Sequence, residues 1–220
     1  MIEISASVLT VEKEEGVQTF YNLETSKIDY FHIDVMDGKF VEKNNIELMK
    51  DYALTISHIS NVGLDVHFMV ENVEEAIEDF IMLNPKIITF HIEATKEKER
   101  TMKIINDLKE NGIKVGLAIS PDASIEEIKE YLPYIHMVLI MTVVPGKGGQ
   151  SLIPETLEKV KDLRKYFEEN DFDLDIEVDG GINDKTAKLA KDAGANILVA
   201  GSYIVSSEDY SESVRKLREE

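Results

Sequence analysis

The chain has 220 residues, 43% of them hydrophobic and none of them cysteine; it is long enough to bury a sizeable core, and neither disulfides nor thiolate chemistry can contribute. A formal net charge of -19 at pH 7 leaves no basic footprint with which to bind nucleic acid or an anionic membrane. Met1-Ile2-Glu3-Ile4 is not a basic and apolar leader, and the longest apolar run, around Met137 to Met141, is too short for a bilayer, so a soluble, unprocessed, cytoplasmic protein is expected.

Short β-branched runs alternate eight times with amphipathic, charge-flecked segments, the pattern of βα units around a parallel sheet. Strands are expected near Ile2 to Leu9, Tyr30 to Met36, Gly63 to Val70, Ile87 to Ile92, Lys114 to Ile119, Met137 to Val143, Leu174 to Val178 and Ile197 to Ala200. Helix-start signals follow several of them: Asn72 with Glu75, Ser124 with Glu127, Pro154, and Asn183-Asp184 ahead of Lys185 to Ala193. There is no GxGxxG after the first strand. Eight units favour a single α/β domain over residues 1–220, a (β/α)8 TIM barrel, in which functional residues belong at the carboxyl ends of strands.

At those ends, period-two alternation sends His32, Asp34 and Met36 of the second strand to one face. The third strand adds His67 and the seventh Asp179. Two imidazoles and two carboxylates meeting at a barrel mouth suit one divalent metal, zinc, iron(II), manganese or cobalt, with room for substrate oxygens. The alternative for each residue is a hydrogen-bonded structural role. A second cluster is glycine-rich: Pro145-Gly146-Lys147-Gly148-Gly149-Gln150 after the sixth strand, Gly180-Gly181 after the seventh, Gly201-Ser202 after the eighth. Glycine lets backbone N–H groups approach an anion closely, and barrels often hold phosphate beside their last strands; the alternative is tight turns without a ligand. His136 and His58, the latter in a connection, are expected to be structural, and His91 with Glu93 to form supporting hydrogen bonds.

Taken in order, His32-Ile-Asp34-Val-Met36-Asp37-Gly38, His67-Phe-Met69-Val70, His91-Ile-Glu93-Ala94, Met141 through Gln150, Glu177-Val-Asp179-Gly180-Gly181-Ile182, Gly194-Ala195-Asn196 and Gly201-Ser202 resemble the ribulose-phosphate 3-epimerase family, from Ser7 to about Asp209. The resemblance implies a metal-dependent interconversion of D-ribulose 5-phosphate and D-xylulose 5-phosphate in the pentose phosphate pathway. It implies that His32, Asp34, His67 and Asp179 bind the metal and that Asp34 and Asp179 are the acid/base pair. Ser7 would contact substrate, Met36, Met69 and Met141 would cap the reacting carbon, and Gly146, Gly148, Gly149, Gly180, Gly181, Gly201 and Ser202 would hold the phosphate. His67 and Asp179 count among the substrate contacts too. The chain departs from the family pattern at Lys147, where phenylalanine is usual and a lysine could add a cation near phosphate or equally be a solvated loop residue, at Phe68, and in the loop Phe40-Val41-Glu42-Lys43-Asn44.

Inversion at a carbon between a ketone and a hydroxyl needs a base on one face and an acid on the other, with stabilisation of the enediolate between. Allulose 6-phosphate is an alternative substrate for so similar a site. A Schiff-base aldolase is disfavoured because no lysine falls at a strand end facing the mouth, and a non-catalytic sugar-phosphate barrel would have lost one of the four ligand-type residues. The expected partner is a small ketose phosphate, with homo-oligomerisation left open.

Overall fold

The computed structural model describes residues 1–219. Eight parallel strands close on themselves in chain order: β1 (Glu3–Ser7), β2 (Tyr30–Met36), β3 (Gly63–Met69), β4 (Ile87–His91), β5 (Lys114–Ile119), β6 (Met137–Met141), β7 (Asp175–Asp179) and β8 (Ile197–Ala200), with β8 paired back onto β1. The outer ring is formed by α1 (Gly16–Thr25), α2 (Ile46–Ile59), α3 (Val73–Phe80), α5 (Lys98–Glu110), α6 (Thr156–Glu169), α7 (Asp184–Ala193) and α9 (Tyr210–Glu219), while the one-turn α4 (Ile92–Thr95) and α8 (Ser202–Val205) sit in the loops after β4 and β8. Among the described residues no helix is long and apolar enough to cross a membrane.

The alternation of each strand divides two environments. Ile33, Val35, Val66, Phe68, Ile88, Phe90, Leu117, Ile140 and Val178 face outward and build one buried apolar layer with the helices. The opposite residues fill the barrel. Its lower end is apolar, with Ile87, Met137 and Ile197 packed together, but above them come Ser5, His32, Asp65, Thr89 and Glu177, all fully buried. Of these, Ser5, Asp65 and His32 are linked by hydrogen bonds, and that chain leads up to the mouth, whereas the Thr89 hydroxyl and both Glu177 oxygens have no hydrogen-bond partner among the described residues.

Two expectations need correction. The segment after β5 holds no α-helix; Ser124 makes a capping box with Glu127, but the chain continues as two 3-10 turns, Ile125–Glu127 and Lys129–Tyr134. Pro133 lies within the second turn, where it has no N–H for the Lys129 carbonyl and its ring would crowd that carbonyl in an α-helix, so an α-helix cannot run through it. His58 is not in a connection but in the last turn of α2. Strand limits moved by one or two residues at β1, β3, β4, β6 and β7.

Candidate active site

β2 and β3 run side by side in the register Asp34 opposite His67, which sets the first carboxylate beside the second imidazole. His67 Nδ1 is 3.2 Å from Asp34 Oδ1 and 3.9 Å from Asp179 Oδ2, and His32 Nε2 is 3.3 Å from the same Asp34 Oδ1. Ligand-type atoms of His32, Asp34, His67 and Asp179 all lie within 4.8 Å of one another. Asp179 comes from β7, diametrically opposite β3 in the closed order.

His32 tests whether a cation fits. Its Nδ1 is engaged by Asp65 at 2.7 Å, and Asp65 is itself held by the Ser5 hydroxyl at 2.7 Å. Its Nε2 is fully buried and has no hydrogen-bond partner among the described residues. A buried nitrogen left open beside carboxylates is what a metal donor requires, because an unmet polar atom otherwise costs about 1–3 kcal/mol. The residues present therefore fit a divalent metal.

Charge is strongly partitioned between the protein's own groups. Burial works against ionising Asp34, but His32 and then His67 outweigh it and hold this carboxyl far below the usual range. Burial and then Asp34 push Asp179 up to about 7, so the two carboxylates do not titrate together. Burial opposes a charge on His32 too, yet Asp65 and Asp34 raise it. Glu177, two residues before Asp179 on the same face of β7, is driven well above the carboxylate range by burial and by Asp65, so burial favours its uncharged form.

A cleft opens beside these groups. Ser7, Asp34, Met69, Met141 and Asp179 line its floor, and Gly146, Lys147, Gly148, Gly149, Gly180, Gly181, Gly201 and Ser202 line its wall. Ser7 donates to Asp34 Oδ2 at 2.8 Å. Met36 is fully buried and does not line the cleft, unlike Met69 and Met141. Gly181 has φ +67°, and a Cβ there would lie 2.2 Å from the backbone nitrogen of Leu152, so this turn admits no side chain. Gln150 braces the loop after β6 by donating to the carbonyls of Val144 at 2.7 Å and Lys147 at 2.8 Å. Lys147 is exposed on that loop.

The supporting residues Ser5, Asp65, Glu177 and Asn45 were not singled out from sequence. Asn45 takes the Met36 N–H and donates to the Asp34 carbonyl, fixing the end of β2. The first three were within reach: Ser5, Asp65 and Glu177 each precede a candidate by two positions and so share its face. Asn45 carries no such periodic signal. His136 accepts the Val115 N–H at the opposite end of the barrel, a structural bond.

Residues 3–205 match the model of the ribulose-phosphate 3 epimerase family. The ribulose-phosphate 3-epimerase of Methanocaldococcus jannaschii is 39% identical over 219 residues, covering 100% of this chain and 91% of that protein. Its namesake in Bacillus subtilis is 35% identical over 219 residues and 99% of each chain. Among solved structures, 3-hexulose-6-phosphate synthase from Salmonella typhimurium superposes with a TM-score of 0.68 at 16% identity, over 98% of this chain and 96% of that one, a likeness of fold alone.

Proposed function

The chain belongs to the ribulose-phosphate 3-epimerase family, and we propose that within the epimerase reaction it performs on ribulose 5-phosphate, Asp34 and Asp179 move the proton at carbon 3. The observation that carries this assignment is the meeting of two carboxylates from β2 and β7 within one set of donor atoms at the floor of the cleft. Held by His32, Asp34, His67 and Asp179, a divalent cation would supply positive charge beside the enediolate oxygens, which develop negative charge.

The protein's own groups do the rest. One aspartate takes the proton from its side of carbon 3, and the carbon flattens as charge moves onto the oxygens. The other aspartate delivers a proton from the opposite side, which inverts the centre and gives xylulose 5-phosphate. Ser7, by donating to Asp34 Oδ2, keeps that carboxylate turned toward the cleft. Met69 and Met141 form an apolar, polarisable wall that keeps water from the flattened carbon. The phosphate rests on the loop amides of Gly148, Gly149, Gly181 and Gly201 with Ser202, a local donor set that overcomes the repulsion of an acidic body. The reaction is a step of the pentose phosphate pathway, and a cysteine-free chain is in keeping with a cytoplasmic setting.

Purified protein should epimerise ribulose 5-phosphate in an assay coupled to xylulose 5-phosphate formation. Exhaustive chelation should abolish turnover, and zinc, iron(II), manganese or cobalt should restore it. Undiminished turnover by protein shown by elemental analysis to be free of metal would remove the cation from the mechanism.

A further inference from the structure

His91 ends β4, is fully buried, and lies outside the donor set of the site. Its Nε2 lies 3.0 Å from Nε2 of His67, and its Nδ1 lies 3.3 Å from Glu93 Oε2. The other oxygen of Glu93 accepts the backbone N–H of Ser120 at 2.7 Å, and the Ser120 hydroxyl stands 3.5 Å from His91 Nδ1. Phe40 closes over the imidazole, with ring centroids 4.8 Å apart.

Two imidazole nitrogens facing each other at hydrogen-bond distance must divide the roles: one carries the hydrogen and the other the lone pair. The surroundings choose which. A peptide N–H can only donate, so Glu93 Oε1 is an acceptor, and an ionised carboxylate accepts at Oε2 as well. An acceptor at Glu93 calls for a hydrogen on His91 Nδ1, and full burial against a second imidazole disfavours a charge on the ring, which leaves the lone pair at Nε2. His67 must then donate from Nε2, and its own lone pair lies at Nδ1. That atom is the one 3.2 Å from Asp34 and 3.9 Å from Asp179. A lone pair so close to two carboxylates calls for a cation shared among them. His32 reaches the same end by a shorter route, with Asp65 on Nδ1 and Nε2 left open.

We propose that His91 and Glu93 are positioning residues: the chain from the Ser120 N–H through Glu93 and His91 holds His67 in its Nε2–H tautomer, so that Nδ1 stays open to a divalent cation. Opposite polarity would place a hydrogen on Nδ1, where the cation has to bind. The proposal rests on the metal set His32, Asp34, His67 and Asp179, and the histidine relay extends the familiar carboxylate–histidine–metal arrangement by one ring.

Full-length protein labelled with 15N-histidine and loaded with Zn2+ decides it, since only five histidines contribute signals. Long-range proton–nitrogen correlations should show His67 metallated at Nδ1 and protonated at Nε2, with His91 neutral and protonated at Nδ1. A hydrogen on His91 Nε2 beside a His67 metallated at Nδ1 overturns the relay and leaves the metal site standing; zinc that metallates neither His67 nor His32 overturns both. In parallel, chelator competition should show Zn2+ bound about 10–100-fold more weakly by His91→Leu, and His91→Gln, whose amide oxygen can accept from His67, should recover most of that loss. Zinc affinity of a folded His91→Leu protein within threefold of wild type would also overturn it. Should His91→Leu fail to fold, the tautomers of the unaltered protein still give the answer.

Discussion

Asp34 and Asp179 reach the same cleft from strands separated by β8 and β1 on one side of the barrel and by four strands on the other, and a two-base mechanism makes their replacement separable. With Asp179→Asn, net epimerisation should fall by about 100-fold or more, while Asp34 still exchanges the carbon 3 hydrogen of one epimer with solvent deuterium. With Asp34→Asn, the surviving exchange should move to the other epimer. Both residues are in the proposed metal set, so metal content is measured in each variant first; near wild-type epimerisation by both loaded variants, or exchange of the same epimer by both, would refute the assignment. Gly201 offers a test of the proposed phosphate wall. A Cβ there would lie 3.2 Å from Ser7 Cβ and 3.3 Å from the Ser7 carbonyl oxygen, tighter than ordinary contact, and Ser7 is bonded to Asp34. Gly201→Val should therefore raise KM for ribulose 5-phosphate roughly tenfold or more, an expectation from lost amide contacts and crowding. An unchanged KM would move the phosphate to another part of the cleft.

Between elements, Arg100 of α5 ties the first turn of α3 to α4. It donates from Nε and one terminal nitrogen to the two oxygens of Glu74 at 2.9 and 2.7 Å, and from the other to the Ala94 carbonyl at 2.9 Å. The hydrogen bonds from Arg100 hold Glu74 below its usual value of 4.5. A lowered carboxylate stabilises the fold above its unfolded value, and that contribution is lost as pH falls below 4.5. Both side chains are about a third exposed, 32% and 40%, so solvent screening limits the pair to at most about 1 kcal/mol. Thermal unfolding should place Glu74→Gln below wild type at pH 7 by no more than about 2–4 °C, a gap set by that energy in a chain of this size and narrowing as the pH is lowered through 4. A gap that widened on acidification would show that Glu74 is not the group being read. At this scale the sequence was a good guide where caps are local: Asn72 accepts the Glu75 N–H, and Asn183 accepts those of Lys185 and Thr186. It misled after β5, where Ser124 caps correctly but two 3-10 turns follow, and Pro133 in the second bars an α-helix there.

Over the whole molecule, an excess of nineteen negative charges opposes compaction through self-repulsion. Raising ionic strength from about 0.01 to 0.15 M shortens the Debye length from about 30 to about 8 Å, so the thermal midpoint should rise over this range in scanning calorimetry. A midpoint that fell instead would mean that the surface ion pairs, such as Lys50 with Asp79 and Arg215 with Glu212, outweigh the repulsion. The buried polar column inside the barrel is shielded from salt and should not contribute to that slope.

Alternation along each strand, glycine after the last three strands and the order of the short motifs are properties of neighbouring residues, so the barrel, the face carrying His32, Asp34, His67 and Asp179, and the family likeness were all legible in the chain. What only the closed barrel decided was the meeting of β2 and β3 with β7, which brings Asp179 to His67. It also decided which nitrogen of each imidazole looks into the site. That depends on Asp65 under His32 and on His91, Glu93 and the Ser120 amide behind His67. A hydrogen-bond direction is settled by whichever atom stands at hydrogen-bond distance, and no spacing along one strand specifies an atom supplied by the next.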